Sequence, residues 1–375
     1  MPDFCAYYKQ NICRSCTLME MPYPEQLRRK EDRLRNALKD FSPPSLLPSL
    51  TSPETGFRNK AKFIVSGSME KPILGLIGKE ILDCPVHDPA INLLAHDLVS
   101  FLSLCKLVPY NIPEKKGELK GVIVFHEKGS FVRFVLRSKE GLDRIRKNLP
   151  DLLKVHPEIQ SVSVNIQPIH QAILEGEEEI FLGPQFVLTL NKGEGKILLR
   201  PQGFVQTNQI VAHELYQNAA RWVKETGSKK FLELFSGQGA FSLTCAGVVE
   251  KGLGIEINTE AVLSANESAR QSGYNHLSFH AMDAGDSEKL IQDFHPDMIL
   301  VNPPRRGLSR SVDHLLAAST EWIIYSSCSV ESLAEDLRKL STQYKIEKLR
   351  LFDMFPHTEH FETLVLLRRI SSIKT

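Results

Sequence analysis

Phe231-Leu232-Glu233-Leu234-Phe235 runs directly into Ser236-Gly237-Gln238-Gly239-Ala240-Phe241. The first five residues fit a strand, and the glycines let the backbone of a strand-to-helix turn approach a ligand closely. Glycines there also suit an ordinary tight turn, so the surrounding chain decides. Strand patterns recur at Leu253–Ile257, Leu277–Ala281, Met298–Val301 and Trp322–Ser326, with helical stretches between them. A helix fits Gln209–Lys224, burying Ile210, Leu215, Ala219 and Trp222. That alternation predicts a doubly wound α/β sheet. The chain closes with Tyr344–Phe352 and Phe361–Arg368, joined by a short loop, which predicts a final antiparallel pair.

The third glycine of a dinucleotide fingerprint is missing, since Ser242 stands in its place, and this disfavours a pyrophosphate ligand. Glu256 ends the next strand, where an acid accepts hydrogen bonds from ribose hydroxyls, and Asp283 follows the third, where an acid can face an adenine amino group. This set suits S-adenosylmethionine better than a nicotinamide cofactor; a generic nucleotide fold is the alternative. The methyltransferase form of the sheet also carries a terminal antiparallel pair. The fourth strand ends in Asn302-Pro303-Pro304-Arg305-Arg306-Gly307. Amino-group methyltransferases follow Asn-Pro-Pro with an aromatic residue, so Arg305 points to another acceptor. Arg305 and Arg306 can hold phosphate or a uracil carbonyl, or lie on a solvated loop. The fifth strand breaks at Ser327-Cys328-Ser329, ahead of a helical pattern over Val330–Leu340. Chemistry in such sheets sits beyond the carboxyl ends of the strands, where Cys328 would serve as a nucleophile. A small buried hydrophobe is its plainer role.

Three domains are expected. Residues 1–55 hold a Cys-rich segment, a helix over Glu25–Lys39 with Leu27, Leu34 and Leu38 at helical spacing, and a Pro- and Ser-rich linker, Ser42–Pro53. Residues 56–199 are mainly β, with a hairpin of Gly121–His126 and Phe131–Arg137, a strand at Ser161–Ile166, and helices near Ile91–Cys105 and Gly141–Val155. The acidic run Glu175–Glu179 fits a solvated loop. Residues 200–375 form the doubly wound sheet. Apolar content of 42% and charged content of 24% are ordinary for a globular chain, and the net charge of +1 gives no global nucleic-acid signature. Local basic residues, Arg58, Lys60 and Lys62 on one strand with Lys115, Lys116 and Lys120 near a hairpin, offer a phosphate-tracking surface.

The N-terminus lacks an apolar signal core and no run approaches a membrane span, so a cytoplasmic protein with reduced thiols is expected. Seven cysteines in that setting point to metal or catalysis before disulfides. Cys13 and Cys16 can chelate one metal, Cys5 is near in sequence, and Cys84, before Pro85, is the candidate fourth ligand. Four thiolates suit zinc or an iron–sulfur cluster. Cys105 and Cys245 lie in helical patterns and are expected in the core.

The series L-E-L-F-S-G-Q-G-A-F, N-P-P-R-R-G, Y-S-S-C and M-F-P-H-T-E-H-F-E resembles the RNA uracil-C5 methyltransferase family. R-P-Q-G-F-V-Q-T-N, F-R-N-K-A-K and the N-terminal cysteines extend the resemblance over nearly the whole chain. It implies a Rossmann-like methyltransferase sheet, parallel with a terminal antiparallel pair, beside a smaller, mainly β α+β domain and a short Cys-rich segment. It implies S-adenosylmethionine as methyl donor, with Gln206, Phe235, Glu256 and Asn302 in contact with it. It also implies a 4Fe-4S cluster on Cys5, Cys13, Cys16 and Cys84, and a uridine of 23S ribosomal RNA as target. Many relatives have Asp where Asn302 stands and Asn where Ala240 stands, so those two contacts differ here.

The chemistry explains the residue types. Uracil C5 is a poor nucleophile until a thiolate adds to C6 and makes the ring an enolate, the role implied for Cys328. A carboxylate must then remove the C5 proton, the role implied for Glu362. A metal site of His357, His360 and Glu362 is the competing idea, and it lacks an evident fourth ligand; loop contacts are the plainer role for the two histidines. The target uridine must leave its stack to reach Cys328. The expected partner is RNA, with no DNA and no membrane, and the chain is expected to act as a monomer. The same chemistry on transfer RNA or another ribosomal uridine, and a non-catalytic cluster-carrying RNA-binding protein, are the alternatives.

Overall fold

A computed structural model describes residues 4–170, 175–184, 187–191, 195–200 and 203–370. Pro201 and Gln202 of the Arg200–Asn208 motif, and the tails of the outer domains, lie outside the described residues. The chain divides into two compact units. One gathers Cys16–Pro53 with Leu190–Thr375, and the other gathers Pro2–Ser15 with Glu54–Thr189. The expected division into 1–55, 56–199 and 200–375 is therefore redrawn at the N-terminus, whose residues are shared between the two.

The first unit is built on eight strands in the order Leu47–Leu50, Tyr344–Phe352, Glu362–Arg369, Trp322–Ser327, Met298–Val301, Lys230–Leu234, Lys251–Glu256 and Leu277–Ala281. The last five pair in parallel. Met298, Ile299, Leu300 and Val301 are all fully buried, as a central strand covered on both faces requires. Glu362–Arg369 runs antiparallel to both of its neighbours, which gives the expected terminal pair. The strand order reverses at Lys230–Leu234, and a ligand crevice opens at such a switch point, outside the carboxyl ends of the strands.

Two segments depart from expectation. Ser42–Pro53 is not merely a linker, because Leu47–Leu50 pairs in parallel with Tyr344–Phe352 at the sheet edge. Pro48 hides this strand in the sequence, yet an edge strand tolerates a residue that cannot donate to the ladder. The helix Gln209–Thr226 is capped by Asn208, whose side chain accepts from the Val211 N–H at 3.2 Å. It buries Leu215, Ala219 and Trp222, but Ile210 is 55% exposed because the inward face of the first turn is taken by Val211 and Ala212. The helix Tyr23–Leu38 buries Leu34 and Leu38 in the same core as the sheet.

The second unit is a seven-stranded sheet with Pro89–Leu104 and Leu142–Val155 in its core. The expected hairpin is present as Leu119–His126 and Ser130–Leu136, with Phe125 opposite Phe131 and His126 opposite Ser130, so Ser130 belongs to the second strand and not to the turn. Two charge readings change here. The acidic run is not free in solvent: Glu175 and Glu179 each bond the buried Arg133 at 2.7 Å, and Glu178–Phe181 is a strand. Lys120 is only 6% exposed and donates to the Ile169 carbonyl, so it leaves the candidate phosphate surface. Lys115 and Lys116 remain exposed. Among the described residues no helix is long and apolar enough to cross a membrane.

Candidate active site

Cys328 follows the last residue of strand Trp322–Ser327, and Glu362 opens the antiparallel strand beside it. Ser327 pairs with Thr363 across these strands, so the next step outward sets Cys328 against Glu362. Thirty-four positions of sequence close into one contact. Ser329 caps the following helix, Val330–Leu340, by accepting from the Ser332 N–H, so the thiol lies just ahead of a helix N-terminus. That position favours a thiolate. Burial pushes the thiol pKa up and the neighbouring Glu362 adds to this, while Arg305 opposes both through its charge and a hydrogen bond.

Glu362 is 3% exposed, and burial pushes its carboxyl up to about 8 against the hydrogen bond from Gln206 and the charge of Arg305. Its Oε2 is buried with no hydrogen-bond partner among the described residues. A carboxylate so placed accepts protons more readily than an ordinary one. Gln206 thus stands on the base, and its own Oε1 is buried and likewise unpartnered among the described residues.

Arg305 reaches Cys328 because its loop is fastened to the same helix. Asp336 accepts from the Leu308 N–H at 2.8 Å and from the Tyr325 hydroxyl at 2.6 Å, tying loop, strand and helix together. Gly307 has φ +81°, and a Cβ there would meet the Asp336 carboxylate at 2.7 Å. The contact between Arg305 and Cys328 gives the guanidinium a thiol partner in place of the phosphate or uracil carbonyl expected from the sequence. The only hint was a charged residue where an aromatic one would serve amino-group chemistry.

The glycine turn lies at the switch point. Phe235 takes φ +60°, unusual for a bulky side chain, and reverses the chain out of its strand. Gly239 has φ +79°, and a Cβ there would strike the Phe279 ring at 2.8 Å. Glu256 accepts from the Gly237 and Asn258 N–H groups, each at 2.9 Å, and still has lone pairs to offer. The Asn302 N–H reaches the Leu234 carbonyl at 3.4 Å, which joins the fourth-strand loop to the first. Asp283 instead caps its own turn at Gly285, 2.7 Å away, and pairs with Arg310. Unpartnered amide oxygen, carboxylate and glycine turn together suit a nucleoside carrying an amino-acid tail.

Residues 179–370 match the family described as tRNA (Uracil-5-)-methyltransferase. The chain is 42% identical, over 97% of its length and 99% of the relative's, to the 23S rRNA (uracil(747)-C(5))-methyltransferase RlmC of Escherichia coli O139:H28. It is 41% identical over the same shares to that of Shigella sonnei. The chain belongs to the RNA uracil-C5 methyltransferase family. In fold it is similar to the Pyrococcus abyssi tRNA (uracil-54, C5)-methyltransferase solved with S-adenosyl-L-homocysteine, with a TM-score of 0.79 over 94% of this chain and 85% of that one at 24% identity. The Rossmann-like methyltransferase sheet expected from the sequence is the fold observed.

Of the two histidines ahead of Glu362, His357 holds structure. His357 is fully buried, its N–H bonded to Gln26 Oε1 at 2.8 Å and its ring beside the Gln26 amide. His360 is exposed, with its pKa lowered by burial and by Arg305, Arg33 and Lys30. Among the described residues no group of three or more His, Cys, Asp or Glu is arranged to hold a metal ion, which removes the idea of a metal on His357, His360 and Glu362 and leaves Cys5, Cys13, Cys16 and Cys84 without a formed ligand set. Of the N-terminal cysteines, Cys5 and Cys13 share a unit with Cys84, and their thiols add to the burial that raises the Cys84 pKa. Tyr7 fixes this segment by accepting from the Leu82 and Asp83 N–H groups at 3.2 and 3.0 Å. Cys16 belongs to the other unit.

Proposed function

We propose that the chain transfers a methyl group to C5 of a uridine in 23S ribosomal RNA, at the position numbered 747 in its relatives. The observation that carries the reading is the abutment of a thiol at a strand end with a buried carboxylate that has a free oxygen. Cys328 Sγ adds to C6 of the flipped uracil, and the ring's electron pair moves onto C5 and the O4 enolate. S-adenosylmethionine, when bound, supplies the electrophilic methyl that C5 attacks. Glu362 then takes the C5 proton; the C–H electron pair forms the C5–C6 double bond and the C6–S bond breaks. Arg305 holds the thiolate before addition and receives it again after release. Gln206 orients the base and leaves one amide oxygen for the donor, Glu256 takes the ribose hydroxyls, and Phe235 and Asn302 line the donor's path.

The proposed partner is RNA, without DNA or a membrane, and a single cytoplasmic chain suffices. Mapping 5-methyluridine in RNA from a strain lacking the gene tests the target. Loss of the modification at position 747 of 23S RNA is expected. Its persistence, with loss from transfer RNA instead, would overturn the choice of substrate.

We also propose a 4Fe-4S cluster on Cys5, Cys13, Cys16 and Cys84. The neighbouring thiols of Cys5, Cys13 and Cys84 support it. Anaerobically purified protein should be brown and hold iron and sulfide; colourless protein with one zinc would refute it.

A further inference from the structure

Loop 353–361 delivers Glu362 to the start of its strand, beside the end of the strand that carries Cys328, and the chemistry above uses none of the helix that backs it. Tyr23–Leu38 buries Gln26, Lys30, Leu34 and Leu38 as one stripe at four-residue spacing. Its far half is apolar and enters the core. Its near half is polar and faces the loop. Gln26 accepts from the His357 N–H at 2.8 Å, and its amide nitrogen lies 3.3 Å from His357 Nδ1. The same nitrogen donates to the carbonyls of Met21 and Leu18, at 2.8 and 3.1 Å. Leu18 in turn donates to the His357 carbonyl at 2.8 Å. Lys30 Nζ sits 2.7 Å from Asp353 and donates to the Phe355 carbonyl at 3.0 Å. Arg33 donates to the Glu359 carbonyl at 3.1 Å, and Arg29 pairs with the Glu359 carboxylate at 2.7 Å. Residues 353, 355, 357 and 359 are each held from this one helix and its lead-in.

These contacts are a poor way to gain stability alone. Both side chains of the Lys30–Asp353 pair are fully buried, and apolar residues of the same volume often stabilise as much as a buried ion pair. His357 is held at φ +65°, which a histidine keeps only where its surroundings impose it. What the contacts do fix is the path of the loop into Glu362. We infer that Gln26 and Lys30 are positioning residues for the catalytic base, holding loop 353–361 so that the Glu362 carboxylate meets the C5 proton of the ring bound to Cys328. The inference rests on the proposed role of Glu362 in proton removal.

The test separates adduct formation from adduct release. Gln26→Ala and the charge-neutral pair Lys30→Met with Asp353→Asn are mixed with target RNA and S-adenosylmethionine, and the covalent protein–RNA species is followed on denaturing gels. A misplacement of order 1 Å can slow a step by roughly 100-fold, so release should slow by about 10- to 100-fold and adduct should accumulate. Adduct formation and the affinity for S-adenosylhomocysteine should stay within about twofold, which a merely loosened fold would not allow. Arg35→Ala, which removes only surface pairs with Glu31 and Asp32 on the same helix, should accumulate none. The inference is overturned if release keeps its normal rate while Glu362→Gln accumulates adduct. It is also overturned if adduct formation, cofactor affinity and melting temperature all fall together. Full turnover by Glu362→Gln would instead defeat the proposed function itself.

Discussion

At Cys328 two effects oppose each other: burial and Glu362 hold the proton on, while Arg305 and the helix end draw it off. Arg305→Ala should therefore raise the thiol pKa, and alkylation by iodoacetamide near neutral pH should slow by about tenfold for each pKa unit gained. The pH profile of alkylation checks this; an unmoved profile would mean that Arg305 has no hold on the sulfur. Turnover needs both Cys328 and Glu362 deprotonated, and both are pushed upward, so kcat/KM should rise with pH through the region near 8. Stability runs the other way. Glu233, bonded to the Ser242 N–H at 2.9 Å under the glycine turn, is also pushed up to about 8 by burial. Between the ordinary carboxylate pKa near 4.5 and about 8, the folded chain keeps protons on Glu233 and Glu362 that the unfolded chain has released, so stability falls as pH rises through this window. Urea unfolding at several pH values should show that fall, and a smaller one in Glu233→Gln.

Elements place these residues, and they were legible to different degrees. The parallel strands announced themselves as short apolar runs, and their bounds lie within about two residues of expectation, an ordinary margin for strand ends. Leu47–Leu50 did not, since four residues containing Pro48 carry no strand pattern and only the partner strand makes them one. Gln26 and Lys30 were hidden by their polarity. The signal was present, because they stand eight and four residues before Leu34 on the stripe that Leu34 and Leu38 bury, but polar residues on such a stripe are ordinarily read as its margin. Asn208 does more than cap its helix: its amide also donates to Ser52 Oγ at 2.7 Å and to the Met354 carbonyl at 3.2 Å. Asn208→Ala should cost about 1–3 kcal/mol. Leu34→Ala should cost about 2–5 kcal/mol through the cavity it leaves. Both are measurable by denaturant unfolding.

For the whole molecule, topology made the site. No spacing rule brings Cys328 to Glu362; they meet because the last strand turns back antiparallel beside the strand that ends at the thiol. Their chemistry was nevertheless legible, because a resemblance in ordered motifs named both before any geometry did. Charge was less legible, since Lys120 and two of the acids, Glu175 and Glu179, meet inward partners that composition cannot reveal, while Glu177 and Glu178 stay exposed. What stays outward on the seven-stranded unit includes Arg58. If it tracks phosphate, Arg58→Ala should weaken RNA binding and reduce the salt slope by about one. The central claim is that one thiol and one carboxylate share the work on the uracil ring. Its most direct test incubates Glu362→Gln and Cys328→Ala with target RNA and S-adenosylmethionine, then separates the products under denaturing conditions. A stable adduct carrying a C5-methylated uracil is expected for Glu362→Gln, and neither adduct nor product for Cys328→Ala; methylated RNA from Cys328→Ala would contradict the shared role of thiol and carboxylate.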